Sequence, residues 1–410
     1  MDVMYARCCG LDVHKRTVVA CLLSPAPDGK PTKTIRTFST MTADLVALAN
    51  WLSAAGCTHV AMESTGVYWK PIWNLLEQRF HLLLVNARHS KAVPGRKTDV
   101  RDSEWLADLL QHGLLRGSFV PDRAQRELRE LTRYRMALVR QRTAEANRLQ
   151  KTLEGANIKL AAVATDILGL SGRQMLEALS MGTMNPNEMA DLAKGVLRKK
   201  IPQLEQALAG QVSAHQRFLI RRHLRQIDGL DAAIVEVNAE IEERVRPYAA
   251  IIARLDTIPG IGRYVAEALI AEIGVDMSRF PSAHHLASWA GICPGNHESA
   301  GKRSSGKTRK GSPWLRALLI QAAHAAARTR DTYLAAQYRR LAACRGKNRA
   351  AVAVAHTILV IIYHLLLEET EYQDLGAQYF DQRNREAVER RLVGRLEQLG
   401  YTVALTPAAA

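Results

Sequence analysis

Two apolar, strand-like stretches each carry a carboxylate, and this constrains the fold more than any other feature of the chain. Cys9-Gly10-Leu11-Asp12-Val13 sets Asp12 inside a run that otherwise belongs in a core, and His59-Val60-Ala61-Met62-Glu63 ends a second such run in an acid. A carboxylate placed there is costly unless it is paired or bound to a metal. A third stretch, Lys97 to Leu110, follows the break at Pro94-Gly95 and reads as a helix with Thr98 as N-cap. That helix puts Asp99 and Asp102 three apart on one face, while Trp105, Leu106, Leu109 and Leu110 form an apolar stripe that would dock on a sheet. Close carboxylates repel each other until a cation sits between them, and hard Mg²⁺ prefers oxygen ligands. Taken alone, the stretch is better read as a capped helix with acids at its positive end. The two acids upstream change that balance.

The order of elements around these acids is informative. Cys9 to Val13 leads through His14-Lys15-Arg16 into the strand Thr17 to Leu23, and a Pro-Asp-Gly turn at 27 to 29 returns the chain into Thr32 to Phe38, a three-stranded meander. A helix over Thr42 to Ala55, the strand ending in Glu63, a helix from Tyr68 to Gln78 and the strand His81 to Val85 follow, which implies a parallel pair covered by a helix. Three antiparallel strands, a helix, a parallel strand bearing an acid and a last helix bearing two more is the order of the ribonuclease H-like fold. There the acids converge on two divalent ions at a phosphodiester. The competing reading keeps all four acids structural.

Charge points the same way. Lys and Arg number 56 against 40 Asp and Glu, a formal net charge of +16, so the expected partner is a polyanion, most often nucleic acid, although ribosomal and membrane-surface proteins share the signature. The 6 cysteines form no Cys-x-x-Cys pair or Cys/His series, which argues against structural zinc and for free thiols in a reducing, cytoplasmic compartment. The apolar run Ala350 to Leu367 contains His356, Tyr363 and His364 and fits a buried helix better than a membrane span.

Beyond Val120-Pro121 the texture becomes long helix. Leu128, Leu131, Leu138, Leu149 and Leu153 form one stripe, while Arg126, Arg133 and Arg140 recur every seven residues on another face. A second helix, Val212 to Val245, carries Ile220, Ile227, Ile234 and Ile241 in heptad register. The two can pair as an antiparallel arm or between subunits, and their arginines either contact phosphate or form a solvated face. Residues 156 to 211 hold shorter helical pieces broken by Gly182, Pro186 and Pro202, with no assignable chemistry. Further on, Ile258-Pro259-Gly260-Ile261-Gly262 precedes a helix from Tyr264 to Ile273, a helix-hairpin-helix pattern whose backbone N–H groups at Gly260 and Gly262 can hold a phosphate. The glycine- and serine-rich stretch 290 to 311 reads as a mobile loop, and its Lys302, Arg303, Lys307, Arg309 and Lys310 as phosphate-seeking. On residue chemistry alone a basic clamp on DNA is the better account of it.

Taken together these motifs resemble the DEDD transposases of bacterial insertion sequences, the insertion sequence one-hundred-ten family, in its second large subgroup. The resemblance rests on Gly10-Leu11-Asp12-Val13-His14-Lys15, Met62-Glu63-Ser64-Thr65-Gly66 and Lys97-Thr98-Asp99 with Asp102 at one end of the chain. At the other it rests on Ile258 to Gly262, Ala290-Gly291-Ile292-Cys293-Pro294, Glu298-Ser299-Ala300-Gly301-Lys302 and Lys310-Gly311 with Leu315-Arg316. The family is understood as bridge-RNA-guided serine recombinases. The resemblance implies an α/β plus all-α chain: a ribonuclease H-like (RuvC-like) DEDD domain over 1–120, a helical coiled-coil arm over 121–250, a C-terminal transposase domain with helix-hairpin-helix and serine loop over 251–380, and a tail over 381–410. It implies that Asp12, Glu63, Asp99 and Asp102 are catalytic and bind Mg²⁺, in a one- or two-ion site, and that Ser299 is the nucleophile. The family more usually has glycine directly after that serine; here Ala300 intervenes, and Ser305-Gly306 offers an alternative. Implied partners are donor and target DNA, a structured guide RNA and further copies of the chain as a dimer or tetramer, with no membrane. Two other functions stay open at this point, a metal-dependent Holliday-junction-type nuclease using water and a non-catalytic nucleic-acid-binding protein.

Overall fold

The computed structural model describes residues 3–26, 31–86, 102–295, 297–299, 302–305 and 307–406, and for 297–299 and 302–305 it describes the backbone alone. They fall into two compact units, Met1–Arg123 and Ala124–Ala410.

The first unit runs β1 (Cys8–Val13), β2 (Thr17–Ser24), β3 (Thr32–Ser39), α1 (Thr42–Ala54), β4 (His59–Glu63), α2 (Trp69–Leu76), β5 (His81–Val85), α3 (Asp102–Gln111) and β6 (Gly117–Ser118). Its sheet has the order β3-β2-β1-β4-β5-β6. The expected meander is present as β1, β2 and β3, antiparallel, and β4 and β5 join β1 in parallel. The alternation of side chains sorts the strands' residues between two cores. Leu11, Val13, Val60 and Met62 pack with Leu48 and Leu52 of α1 and Ile72 and Leu76 of α2. Cys8, Cys21, Leu23, Ala61 and Val85 point the other way, toward Ala107 and Leu110 of α3. Burial on both faces explains why β4 and β5 read as almost unbroken apolar runs. The expected helix start at Thr98 and Asp99 lies outside the described residues, and the described helix begins at Asp102.

Among the described residues the second unit is helical apart from one hairpin. Its principal elements are α4 (Arg123–Gly155), α5 (Leu170–Met181), α6 (Ala214–Val245), α7 (Ala249–Asp256), α8 (Arg263–Ile273), α9 (Ala283–Trp289), β7 (His297–Ser299), β8 (Lys302–Ser305), α10 (Pro313–Ala326), α11 (Tyr333–Arg345), α12 (Lys347–Glu368) and α13 (Arg385–Gln398). A capping box starts α6: the Ser213 hydroxyl accepts from Gln216 N–H at 3.2 Å, and the Gln216 side chain accepts from Ser213 N–H at 2.9 Å. Helices α4 and α6 lie antiparallel, as the cross-links Arg244–Glu127, Arg135–Asn238, Arg142–Asp231 and His223–Glu145 show by their reversed numbering.

The pair carries a separate core at each end. Leu153, Ile158, Met175, Leu176, Leu204, Ile220 and Leu224 close one, which gives residues 156 to 211 their role as a packed helical tip. Ile241, Leu255, Ile258, Leu269, Leu319 and Ile358 belong to the other. Between them the arm is held by polar contacts, and there Ile234 is half-buried while Ile220, Ile227 and Ile241 are buried. Among the described residues α12 is the one helix long and apolar enough to cross a membrane. Its Val354, Ala355, Ile358, Leu359 and Ile362 are wholly buried against other helices, so packing accounts for its composition.

Candidate active site and nucleic-acid interface

Asp12 and Glu63 are brought to the same level of the sheet. The parallel register of β1 and β4 ends in the pair Leu11↔Met62, and each acid is the next residue of its strand. Neighbouring strands lie about 4.8 Å apart, so the two backbones set Asp12 and Glu63 at neighbouring positions. Glu63 also pairs with Val85 of β5, and directly after it Ser64 N–H donates to Val85 O at 3.0 Å, fixing the strand's end. By alternation both acids point to the face that α3 covers.

What lets α3 come so close is Gly10, two residues before Asp12 on the same face. A Cβ there would sit 2.2 Å from Ser103 O and 2.5 Å from Ala107 N, so helix backbone lies directly on strand backbone. Asp102, the first residue of α3, adjoins Ser103, which places the helix start over the strand that carries Asp12. The sequence contains this signal as a glycine two residues before the acid, but only the packing shows what it serves. Asp12 keeps 26% side-chain exposure, and its Oδ2 lies 3.1 Å from Nε2 of the solvent-facing His14. Among the described residues no group of three or more His, Cys, Asp and Glu side chains stands close enough to hold one metal ion. Asp99 lies outside the described residues. The oxygen donors of Asp12, Glu63 and Asp102 suit Mg²⁺ in kind. The thiols do not compete for this role: burial pushes Cys8 and Cys57 up to about 12.

The second candidate site is a β-hairpin, where the sequence reads as a mobile loop. The register sets Ser299 opposite Lys302, Glu298 opposite Arg303 and His297 opposite Ser305, with an irregularity between His297 and Glu298. Ser299 therefore flanks the hairpin's end, and Ser305 lies at the other end of β8. The stretch is ordered from its base. Gly291, at φ +69°, meets Gly311 so closely that a Cβ on it would lie 2.5 Å from Gly311 N. Arg316 donates to Gly291 O at 2.7 Å and to the Thr308 hydroxyl at 2.8 Å. Gly295 N–H donates to Lys307 O at 2.8 Å, and Pro294 bridges to Thr308. Strand propensity is poor here, so the closed base rather than the strand sequence sets the geometry.

The basic candidates divide by environment. Arg133 gives a bidentate pair, 2.6 and 2.9 Å, to Glu272, which is only 2% exposed and also accepts from Ser312, the N-cap of α10. Its guanidinium is thus committed to joining α4 to α8 and to the helix that follows the hairpin. Arg140 is exposed, with its guanidinium 5.0 Å from the centre of the Trp314 ring, and Arg126 is half-buried. Arg309 and Lys310 are exposed. In the helix-hairpin-helix turn, Gly262 is exposed and starts α8, whereas Gly260 packs inward: its φ is +89°, and a Cβ on it would lie 2.3 Å from Ala322 O of α10. Sequence reading missed the buried acid Glu267, which binds Arg135 at 2.6 Å in a site where both are nearly inaccessible. A glutamate on the apolar side of α8 was its only trace.

Comparison with known proteins shows which family the chain resembles. Residues 9–158 match the family model of DEDD transposases of the IS110 type, and residues 252–339 match the transposase model of the IS116/IS110/IS902 family. The transposase for insertion sequence element IS1111A of Coxiella burnetii is 27% identical over 301 residues, covering 71% of this chain and 72% of the relative. An uncharacterized 42 kDa protein of insertion element IS900 from Mycobacterium paratuberculosis is 28% identical over 328 residues, covering 71% of this chain and 80% of the relative. The pilin gene-inverting protein of Moraxella bovis is 33% identical over 114 residues, which span 34% of its length. With two models of one family matched in order, and homology to the IS1111A transposase across most of both proteins, the chain belongs to the IS110 family of transposases.

Proposed function

We propose that this protein recombines the DNA of an insertion sequence through a serine nucleophile, assisted by an acidic Mg²⁺ site and directed by a structured guide RNA. The observation that carries the reading is the level placement of Asp12 and Glu63 on neighbouring parallel strands, under the helix whose first residue is Asp102. In this reading Asp99 completes the set. Mg²⁺ held by these four carboxylates would neutralise charge on the attacking and leaving oxygens of a phosphodiester.

The chain's own part is then the following. The Ser299 Oγ attacks phosphorus, the new Oγ–P bond replaces the bond to a deoxyribose oxygen, and that oxygen departs carrying the serine's proton as a free hydroxyl. A hydroxyl from the second DNA end reverses the exchange and restores the serine, so bond energy is conserved through both steps. Lys302, Arg303, Lys307, Arg309 and Lys310 offset the charge that builds on the phosphate, each such cation being worth on the order of a hundredfold in rate. Arg126, Arg140 and the backbone at Gly262 contact phosphates along the DNA, and the guide RNA supplies sequence recognition by pairing. The active assembly is a dimer or tetramer.

The test is capture of a suicide DNA substrate in the presence of guide RNA and Mg²⁺, comparing wild type with Ser299→Ala, Ser305→Ala and Asp102→Asn. The expected result is a covalent protein–DNA adduct in wild type and Ser305→Ala, and none in the other two. Capture by Ser299→Ala but not by Ser305→Ala would move the nucleophile to Ser305. Mg²⁺-dependent cleavage with no adduct in any variant would replace the serine by water, the nuclease reading.

A further inference from the structure

Several arginines in this protein have an internal task. Arg133, Arg135, Arg142, Arg173 and Arg244 each pair with a carboxylate, and Arg129 donates to the Ala271 and Glu272 carbonyls. The surface around residues 328–349 departs from that pattern. Between residues 328 and 349 the chain carries seven Arg and Lys residues, with Asp331 as the single acid. Arg328 and Arg330 stand in the segment leading into α11, Arg339 and Arg340 in its middle, and Arg345 and Lys347 at the turn into α12; all six are exposed, as is Arg349 one turn on. Among the described residues no ion pair holds any of them. Arg339 donates only to Ala335 O of its own helix, and Arg340 lies with its guanidinium 5.4 Å from the centre of the Phe380 ring.

The backbone explains how the charges come to lie on one side. Leu334 and Ala335 face the core and Tyr338, Leu341 and Ala342 are half-buried, which turns positions 339, 340, 343 and 344 outward. Gly346, at φ +81°, breaks the helix so that Lys347 and Arg349 start α12 beside Arg345. The 13 residues of α11 span about 20 Å. A DNA duplex presents a phosphate about every 1.7 Å of its axis, roughly twelve over that length. A row of unpaired cations on a rigid helix repels itself, and a polyanion of matching length relieves that repulsion.

We propose that α11 and the turn into α12 form a second contact surface for duplex DNA, built from residues that belong neither to the serine hairpin nor to the acidic edge of the sheet. It acts through phosphates without reading bases. A duplex fits better than a single strand, because the aromatic rings described here are already engaged: Tyr333 stacks on Phe380 with centroids 5.1 Å apart, Phe380 also carries the Arg340 guanidinium, and Tyr338 pairs with His324. The proposal rests on the reading of this chain as a DNA recombinase and adds to it a further set of phosphate contacts.

The surface carries its own probe, since Cys344 is exposed among the arginines while Cys8, Cys9, Cys21 and Cys57 are buried and Cys293 is partly so. Full-length protein is treated with a maleimide at low salt, alone, with a 30-base-pair DNA duplex, and with an RNA duplex of equal length. DNA should slow labelling of Cys344 at least fivefold. In parallel, the salt dependence of DNA binding is compared between wild type and the triple variant Arg339→Gln, Arg345→Gln, Lys347→Gln. Loss of three phosphate contacts should lower the slope of log K against log salt by about 2.7. A control variant, Arg390→Gln, Arg391→Gln, Arg395→Gln, removes equal charge from the exposed side of α13 and should leave the slope unchanged. An unprotected Cys344 or an unchanged slope in a wild type that binds DNA would overturn this surface and leave the proposed function standing. An equal loss in the control would overturn it as a defined site. Protection by RNA alone would overturn the assignment to DNA, and a wild type that binds no DNA would overturn the surface together with the function it rests on.

Discussion

Replacing Gly10 by alanine tests the acidic edge at its most sensitive point. The added methyl would stand 2.2 Å from Ser103 O, 2.5 Å from Ala107 N and 2.9 Å from Leu106 Cβ, against 3.4 Å for ordinary contact. None of these atoms can swing aside on a flexible side chain, so α3 must move off β1 by roughly 1 Å. Overpacking in a well-filled core costs about 1–3 kcal/mol, and a clash with helix backbone belongs at the upper end. For a unit of this size about 3 kcal/mol corresponds to roughly 10 °C of melting temperature. The same shift carries Asp102 away from the strand acids, and a displacement of about 1 Å in a catalytic arrangement costs on the order of a hundredfold in rate. The assay is thermal unfolding followed by circular dichroism, with Mg²⁺-dependent adduct formation measured on the folded fraction. Gly229→Ala serves as the opposite control: Gly229 lies in α6 with nothing within 4 Å of its would-be Cβ, so alanine should stabilise the arm by about 0.5–1 kcal/mol. Were Gly10→Ala to melt with wild type and retain its activity, α3 would not lie on β1 as described, and the placement of Asp102 would fall with it.

Two further outcomes are expected. Hydrogen bonding from His223, at 2.7 Å, is the main reason the buried Glu145 carboxyl is held below its ordinary value near 4.5. A depressed carboxyl contributes stability that is fully present above about pH 4.5 and is lost as pH falls through the lowered value, so the stability gap between wild type and Glu145→Gln should be constant from pH 7 to 5 and close below 4.5 in urea titrations. Arg316→Gln should release Gly291 O and Thr308 together; limited proteolysis should then cut between residues 292 and 311 several times faster at unchanged melting temperature, and equal cutting rates would show that the base of the hairpin holds without this arginine.

Much of the acidic edge was legible because burial and charge conflict there in the sequence itself. An aspartate inside Gly10-Leu11-Asp12-Val13 and a glutamate ending Val60-Ala61-Met62-Glu63 announce strands that each carry an acid toward their end, and the register of β1 and β4 brings the two acids level. What the sequence does not reveal is distance. Gly10 matters because α3 lies on top of it, and Gly260 because α10 does, and both partners are remote in sequence and selected only by packing. The heptad isoleucines of α6 are legible as an apolar stripe, yet a stripe does not name what covers it, and two cores joined by a polar stem produce the same periodicity as one continuous seam.

The serine hairpin was the least legible element, for a related reason. Local propensity in Lys302-Arg303-Ser304-Ser305 favours no structure, and the order comes from residues outside it, Gly291, Gly311 and Arg316, which close the base. Arg133 follows the same logic: its seven-residue spacing with Arg126 and Arg140 suggests a common partner outside the protein, but Glu272 is buried directly in front of it and takes the charge. Charge along a helix reports a partner only after the internal carboxylates have taken theirs. By that test the arginines of α4 are largely spoken for, and those of α11 are not.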